Sequence, residues 1–283
     1  MPTGIYRIRV ADGSPRLAVG DVGSGPSSLL PPSSSLDAIL ADGGPSLEDA
    51  LAASGEPVPP GMERLAPVES QEIWAAGVTY RRSRDARFEE SVEPSPYDRV
   101  YEAERPELFH KSPGWRAVGD GAPIGVRADS DWNVPEPELA LVLDASMGIV
   151  GYTIGDDVSS RTIEGENTLY LPQAKTYDRS CALGPAIVPA SEVSPPFGIR
   201  MEIVRGGEPV FDDAIATDAM ARSFDDLTSH LGRALAFPVG VVLLTGTGIV
   251  PDPPFTLLPD DLVRVTIDGL GILSNPVVRV GVR

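Results

Sequence analysis

The stretch Trp132–Leu143 reads WNVPEPELALVL and places two carboxylates, Glu136 and Glu138, at the start of an apolar run. Side chains of a β-strand alternate between its two faces, so a strand here would point both glutamates in the same direction. Two like charges side by side cost free energy unless a cation joins them. The stretch therefore predicts either a divalent cation site or two exposed glutamates that face solvent.

The composition excludes several classes of partner. The chain of 283 residues is long enough for one large domain or for a large domain with a smaller one. Its 41 acidic and 23 basic side chains give a formal charge of -18, which repels nucleic acid and anionic membrane surfaces. Because no run of 18 apolar residues or hydrophobic signal core occurs, we predict no membrane segment and a cytoplasmic location.

The inventory of metal-binding side chains favours oxygen ligands. Cys181 is the single cysteine, and His110 and His230 are the two histidines. A disulfide within the chain and a cysteine-built metal site are therefore excluded. A site built mainly from carboxylates prefers a hard ion such as Mg²⁺, Ca²⁺ or Mn²⁺ over Zn²⁺.

The apolar pattern predicts an α+β protein rich in strands. The first 30 residues resemble a hairpin, because IYRIRV and RLAVGDV alternate apolar and polar positions around the turn ADGSP. Short helices are predicted over SSSLDAIL and PSLEDALAA, before a proline-rich linker. We place a small N-terminal domain at residues 1–64 and a larger domain at residues 65–283. Strands dominate the larger domain, and two helical patterns interrupt them, RDARFEESVEPSPYDRVYEAE and SFDDLTSHLGRAL. Ser223 and Asp226 would open the second as a capping box.

Three further groups of residues carry side chains suited to binding or catalysis. Asp156 and Asp157 follow GYTIG at the end of a predicted strand, where a rigid scaffold can hold metal ligands. Lys175, in LYLPQAKTYD, is either buried beside a carboxylate or extended along the surface. Thr245 and Thr247 stand between glycines in LLTGTGIVP, which predicts either a ligand-binding loop or an ordinary turn.

The remaining polar candidates have equally simple alternatives. Arg81 begins a basic cluster in TYRRSR that would either clamp a carboxylate or pair with surface acids. His110 is either a general base or a structural side chain in an apolar strand. Cys181 resembles a small buried hydrophobe.

Several stretches in order resemble the fumarylacetoacetate hydrolase superfamily: IWAAGVTY, PEPELALVL, GYTIGDDVSSR, ENTLYLPQAKTYDRSCALGP and LLTGTGIVP. The resemblance runs from about Leu65 to Arg283 and implies a mixed β-roll with a small N-terminal domain, assembled as a homodimer or homotetramer. It implies Mg²⁺, with Mn²⁺ or Ca²⁺ as substitutes, held by Glu136, Glu138 and Asp157. A 2-oxo acid would bind this metal, with Lys175 and Thr247 beside it.

The chain departs from the hydrolases of this superfamily at one important pair. Hydrolases of acylpyruvates carry a histidine and a glutamate after the first motif, and Ser83 and Ala86 occupy the matching positions here. Serine cannot replace an imidazole as general base near neutral pH, and alanine cannot orient one. Thr162 replaces an aspartate common in the family, which alters support around the metal. These departures disfavour carbon-carbon cleavage by that route.

The stretches RPELFHK and GENTLYLPQAK resemble the 2-keto-3-deoxy-D-arabinonate dehydratase branch. That resemblance implies that the metal and Lys175 polarise a 2-keto group, so that the C3 proton leaves, an enolate forms and the C4 hydroxyl is lost, giving 2,5-dioxopentanoate. Glu107 or Glu164 would move protons, with Lys175 as a second candidate base, and Arg81, Ser83 and Thr247 would contact the substrate.

Three other functions stay open at this point. The first is a hydrolase of an acylpyruvate or other diketo acid, with His110 or a carboxylate activating water. The second is a metabolite sensor that keeps the metal site without turnover. The third is decarboxylation of an oxaloacetate-like substrate, which needs only a metal and an electron sink.

Overall fold

A computed structural model describes the chain over residues 1–53, 55–80 and 96–281. The strands in this part of the chain are β1 (Thr3–Arg9), β2 (Pro15–Asp21), β3 (Gly25–Leu29), β4 (Glu63–Leu65), β5 (Glu72–Gly77), β6 (Glu107–Pro113), β7 (Ile124–Arg127), β8 (Asn133–Val134), β9 (Pro137–Leu143), β10 (Ile149–Asp157), β11 (Ser159–Ser160), β12 (Cys181–Pro189), β13 (Gly198–Arg205), β14 (Glu208–Ala216), β15 (Val241–Leu244), β16 (Leu262–Ile267) and β17 (Gly271–Val280). The α-helices are α1 (Leu36–Leu40), α2 (Leu47–Ala52), α3 (Pro96–Glu102), α4 (Arg161–Glu166), α5 (Leu171–Lys175) and α6 (Phe224–Gly232).

Two large sheets form the frame of the molecule. The first follows the order β3-β2-β1-β12-β10-β9-β15-β5-β6, and β4 pairs with β1 at its side. The second follows the order β14-β13-β16-β17-β7, and a short ladder joins β8 to β11. Neighbours are antiparallel except for the pairs β15–β5 and β17–β7. This strand-rich architecture with mixed sheets confirms the predicted fold class.

Strand β9 lies at the centre of the first sheet and is buried on both faces. Leu139, Leu141 and Leu143 belong to the main apolar core, while Ala140 packs in a second cluster and Val142 packs against the N-terminal helices. A strand covered on both faces shows a continuous apolar run in place of alternation. The ELALVL run therefore reflects burial on two sides.

The ends of five neighbouring strands meet at one edge of this sheet. Strands β10, β15 and β5 end there, whereas β9 and β6 begin there, as their antiparallel and parallel pairings require. Gly155 of β10 pairs with Glu138 of β9, and Gly77 of β5 pairs with Glu107 of β6. Side chains that are distant in sequence are consequently brought to one edge.

The predicted N-terminal elements are present. Strands β1 and β2 form the expected hairpin, and Ser35 and Ser46 cap α1 and α2. The hairpin also extends the first sheet, because Ile5 of β1 pairs with Ile187 of β12. The boundary between residues 1–64 and 65–283 stays a prediction.

Two helical predictions are refined by the structure. Ser223 caps α6, but the Asp226 carboxylate contacts Arg222 Nη1 at 2.9 Å and His230 Nδ1 at 3.2 Å, so the predicted capping box is only half formed. Of the pattern RDARFEESVEPSPYDRVYEAE, the described part holds α3, and residues 81–95 lie outside the described residues. Every helix in the described ranges is too short or too polar to cross a bilayer.

We expect Leu141→Ala to lower the free energy of unfolding by about 2–5 kcal/mol, because the leucine is fully buried in β9 and its loss leaves a cavity. Leu258→Ala is the control, since Leu258 is exposed and should change stability by less than about 0.5 kcal/mol. Urea denaturation followed by fluorescence measures both values. Equal losses in the two variants would contradict the central position of β9.

Candidate metal centre

A polar cleft opens at the edge where the five strand ends meet. Its walls come from β5, β6, β9, β10, the two short helices after β11 and the loop after β15. Its lining includes Ala76, Gly77, Val78, Phe109, Glu136, Glu138, Asp157, Arg161, Lys175, Gly246, Thr247 and Val250. Three of these residues are acidic and two are basic, so the cleft concentrates charge of both signs in a buried space.

The three acidic residues predicted from sequence lie together at the bottom of this cleft. One carboxylate oxygen from each of Glu136, Glu138 and Asp157 lies within 4.8 Å of the others. All three residues are buried, with no more than 3% of their surface exposed. The reading of these acids as solvent-facing charges is wrong, and their spacing allows all three to reach a single atom.

Backbone amides hold these three residues in place. The amide of Asp157 donates to the Glu136 carbonyl at 2.9 Å, and the amide of Glu136 donates to Asp156 Oδ1 at 3.0 Å. The Gly246 amide donates to Glu138 Oε2 at 2.5 Å. The adjacent starts and ends of β9, β10 and β15 thus position the acids through the main chain, which makes the site rigid.

The electrostatics of the cleft favour a divalent cation. Burial raises the pKa of Glu138 well above its usual range, and the charges of Asp157 and Glu136 raise it further. Burial likewise raises the pKa of Asp156 to about 7. Glu136 Oε1 is buried without a hydrogen bond among the described residues. Hard cations bind such carboxylate oxygens, so the donor set fits Mg²⁺ or a similar ion.

Lys175 is buried within the acidic group, which confirms the first of the two alternatives predicted from the sequence. Its Nζ lies 2.6 Å from Glu136 Oε2, 3.1 Å from Asp157 Oδ2 and 2.6 Å from Ser159 Oγ. Helix α5 ends at this residue and delivers it to the cleft. An ammonium group in this position stabilises negative charge on an oxygen atom placed beside the acids.

A second lysine, Lys111, was missed by sequence reasoning. It is fully buried, and its Nζ lies 2.5 Å from Asp157 Oδ1. The sequence did contain a signal for this residue. Among its 23 lysines and arginines, only Lys111 and Lys175 are lysines. Both lysines therefore contact Asp157.

Of the other predicted site residues, Glu107, Glu164 and Thr247 are described by the structure, and each has its own contacts. Glu107 faces Gly77, where an added Cβ would run into the Glu107 carboxylate. Glu164 is buried, and its Oε2 lies 3.2 Å from Arg161 Nη1. Thr247 lines the cleft and its Oγ1 accepts a hydrogen bond from the Ile249 amide at 3.1 Å. The predicted substrate contacts Arg81 and Ser83, and also Ala86, lie outside the described residues.

A strained backbone supports the rim of the cleft. Val78 is buried and has a φ of 54°, a left-handed conformation that is rare for a β-branched residue and costs about 1–3 kcal/mol. Next to it, Thr79 Oγ1 donates to the Thr245 carbonyl at 2.7 Å. The strained turn after β5 thereby holds the loop that carries Gly246 and Thr247.

Two residues considered from the sequence lie outside the cleft lining. His110 is exposed on β6, and its ring packs edge-on against Trp74 with 5.9 Å between centroids. Cys181 is buried, and burial raises the pKa of its thiol to about 12, which keeps it protonated. The structural readings of both residues agree with these positions.

Comparison with known proteins places this fold and site in a family. The family model for the fumarylacetoacetate (FAA) hydrolase C-terminal domain matches residues 72–278. A probable 2-keto-3-deoxyxylonate dehydratase of Haloferax volcanii is 53% identical over 216 residues, which cover 76% of this chain and 74% of that protein. A 2-dehydro-3-deoxy-D-arabinonate dehydratase of Saccharolobus solfataricus is 43% identical over 217 residues, which cover 75% and 73%.

A solved structure has the same architecture over nearly the whole chain. It is a 2-keto-3-deoxy-D-arabinonate dehydratase complexed with magnesium and 2,5-dioxopentanoate, with a TM-score of 0.84, 32% identity and coverage of 98% of this chain and 99% of that one. The chain belongs to the fumarylacetoacetate hydrolase family.

We expect Glu138→Gln to raise the stability of the metal-free protein at neutral pH by about 1 kcal/mol, or roughly 2–4 °C in Tm. The pKa of this acid is higher in the folded chain, so ionising it costs folding free energy as pH rises above its ordinary range. Glutamine removes that cost and still offers an oxygen to the Gly246 amide.

Magnesium should reverse the order of the two Tm values. At 100 times its Kd, an ion that binds only the folded state stabilises wild-type protein by ~2.7 kcal/mol, and the variant should lose most of this gain. Differential scanning calorimetry with and without Mg²⁺ measures both effects. Glu202→Gln, at a partly exposed pair with Arg264, is the control. A fall in metal-free Tm for Glu138→Gln would contradict the electrostatic argument.

Proposed function

We propose that this chain is a Mg²⁺-dependent hydro-lyase that dehydrates a 2-keto-3-deoxy sugar acid, converting 2-keto-3-deoxy-D-arabinonate to 2,5-dioxopentanoate. The observation that carries the proposal is the buried group of Glu136, Glu138 and Asp157 with Lys175 Nζ between two of them. Two relatives at 53% and 43% identity bear dehydratase names, and a similar structure binds magnesium and 2,5-dioxopentanoate.

The three carboxylates would hold the metal, which supplies a Lewis acid for the carboxylate and 2-keto oxygens of the substrate. Lys175 adds a positive charge beside these oxygens and favours the developing negative charge when the C3 proton leaves. Because Lys175 already contacts Glu136, Asp157 and Ser159, its ammonium is oriented before substrate binds. Preorganised charge of this kind costs no reorganisation during the reaction.

The proton transfers require groups other than the metal ligands close to the substrate. Glu107 and Glu164 lie outside the cleft lining, but each is buried or half-buried against a lining residue: Glu107 lies against Gly77, and Glu164 Oε2 lies 3.2 Å from Arg161 Nη1. We assign one of these carboxylates to remove the C3 proton and to protonate the departing C4 hydroxyl, which leaves as water. Transfer of a proton from C5 to C3 then gives an enol, and its protonation at C4 yields the aldehyde of 2,5-dioxopentanoate.

The hydrolase alternative is less well supported by the same residues. Hydrolysis needs a base that activates water, and His110 is exposed outside the cleft lining. The family dyad is replaced by Ser83 and Ala86 in the sequence. Dehydration needs no activated water, so it suits the groups that are present.

The substrate is a small 2-oxo acid, and we keep Thr247, Arg81 and Ser83 as its proposed contacts. A homodimer or homotetramer and a cytoplasmic location also stay predictions. A single, buried cysteine agrees with a reducing compartment but does not require one.

The reaction itself is tested by the number of product molecules. With 2-keto-3-deoxy-D-arabinonate and Mg²⁺, mass spectrometry should find one five-carbon product lighter than the substrate by one water. Removal of metal with a chelator should abolish turnover, and added Mg²⁺ should restore it. Release of pyruvate from an acylpyruvate, with no dehydration of the sugar acid, would overturn the proposal in favour of a hydrolase.

We expect Lys175→Ala to lower kcat by about 10²- to 10⁴-fold, the range for loss of a group that stabilises charge or transfers a proton. KM should change much less, because the interaction is strongest in the transition state. Steady-state kinetics measure the two constants, and Arg264→Ala on the exposed sheet face is the control. A large rise in KM with unchanged kcat would instead assign Lys175 to substrate binding alone.

A further inference from the structure

We propose that Lys111 is a positioning residue that holds Asp157 as a one-oxygen ligand and thereby makes the metal centre selective for Mg²⁺ over Ca²⁺. This inference rests on the proposed function for its metal and concerns a residue that never touches the metal. Lys111 lies behind the acidic group and outside the lining of the cleft.

The ammonium of Lys111 has a complete set of partners. Its Nζ lies 2.5 Å from Asp157 Oδ1, donates to the Val158 carbonyl at 3.2 Å and also donates to the Lys175 carbonyl. An ammonium has three N–H donors, so these three oxygens use all of them. The side chain is fully buried, which fixes its geometry and excludes water as a competing partner.

The backbone of β6 is built to aim this side chain. Ile73 pairs with Ser112 and Trp74 pairs with His110, so Lys111 is the extra residue of a β-bulge. Both Lys111 and Ser112 are consequently buried, which breaks the alternation of an ordinary strand. Bulges redirect side chains and are frequent next to active sites. Here the bulge turns Lys111 towards Asp157.

The two oxygens of Asp157 therefore have separate tasks. Oδ1 is committed to Lys111, while Oδ2 lies 3.1 Å from Lys175 Nζ on the side of Glu136. Oδ2, on the side of Glu136, is then the oxygen that Asp157 offers to a cation between the acids. Mg²⁺ demands near-octahedral coordination by single oxygens, whereas Ca²⁺ accepts more ligands and often binds both oxygens of a carboxylate. A locked Asp157 favours the smaller ion.

The choice of lysine at this position supports the same conclusion. The chain uses arginine for its basic side chains everywhere except Lys111 and Lys175. A planar guanidinium presents a fork that suits two carboxylate oxygens at once, whereas an ammonium is a compact point charge. The contact at Asp157 needs one oxygen bound by Lys111 and the other left on the cleft side beside Lys175, which suits a point charge.

The test compares Kd values of metal-free wild-type protein and Lys111→Met for Mg²⁺ and Ca²⁺, measured by isothermal titration calorimetry. Loss of a group that orients a metal ligand typically weakens binding about 10- to 100-fold. We expect the Kd for Mg²⁺ to rise within this range and the Kd for Ca²⁺ to rise much less, so that the ratio of the two changes by up to about 10- to 100-fold. An unchanged ratio would overturn the inference.

A matched control removes a cation from another buried aspartate. Arg205 contacts both oxygens of the fully buried Asp261 at 2.7 Å, and neither residue lines the cleft. Arg205→Met should lower Tm and leave the Mg²⁺/Ca²⁺ ratio unchanged. An equal change of the ratio in both variants would assign the effect to general destabilisation and reject a role for Lys111 in selectivity.

A crystal structure of wild-type protein soaked with Mn²⁺ decides the question independently, even if Lys111→Met fails to fold. Asp157 bound to the ion through one oxygen and to Lys111 through the other supports the inference, whereas Asp157 bound to the ion through both oxygens overturns it. Failure of the proposed function has a different signature, namely dehydration of the sugar acid without any divalent ion.

Discussion

The stability and the chemistry of this protein both depend on a group of buried carboxylates at one edge of its largest sheet. Glu136, Glu138, Asp156 and Asp157 are all buried at one end of β9 and β10, where the loss of hydration disfavours every carboxylate. Partial compensation comes from Lys111, Lys175 and Arg161, which are buried beside them. A divalent cation held by the three acids would complete the balance. Folding free energy and metal affinity are thus linked through the same carboxylates.

The scaffold around these acids is rigid because strand ends and backbone hydrogen bonds position them. Each acid at the candidate metal centre lies at or next to the end of a strand of the first sheet, and amides of Asp157, Glu136 and Gly246 bind the acidic groups or link their strands. The left-handed Val78 and the hydrogen bond from Thr79 hold the neighbouring loop. Positions defined by strand ends vary little, which suits a reaction in which charge must meet particular atoms of a small substrate.

The two lysines contact different oxygens of Asp157. Lys175 stands on the cleft side, where it would face the substrate, and Lys111 stands behind, where it holds the far oxygen and the carbonyl at the end of α5. One carboxylate therefore connects the metal centre to both the helix that carries Lys175 and the bulge in β6. Substitutions in β6 should therefore change the metal affinity of the acidic group through this connection.

The sequence by itself determined a good part of this protein. The apolar and alternating runs predicted the strand-rich fold, and the spacing of Glu136 and Glu138 placed two acids on one face of a strand. The order of the motifs predicted the family, and the family resemblance added Asp157 as the third acid. These features are local, because side-chain alternation and chain order need no knowledge of distant contacts. Lys111 was different. Only the tertiary structure placed it at Asp157, since a bulge sets the direction of its side chain and the partner oxygen comes from a strand more than 40 residues later. Burial of a charge beside another element is a property of the folded chain, and no local pattern encodes it.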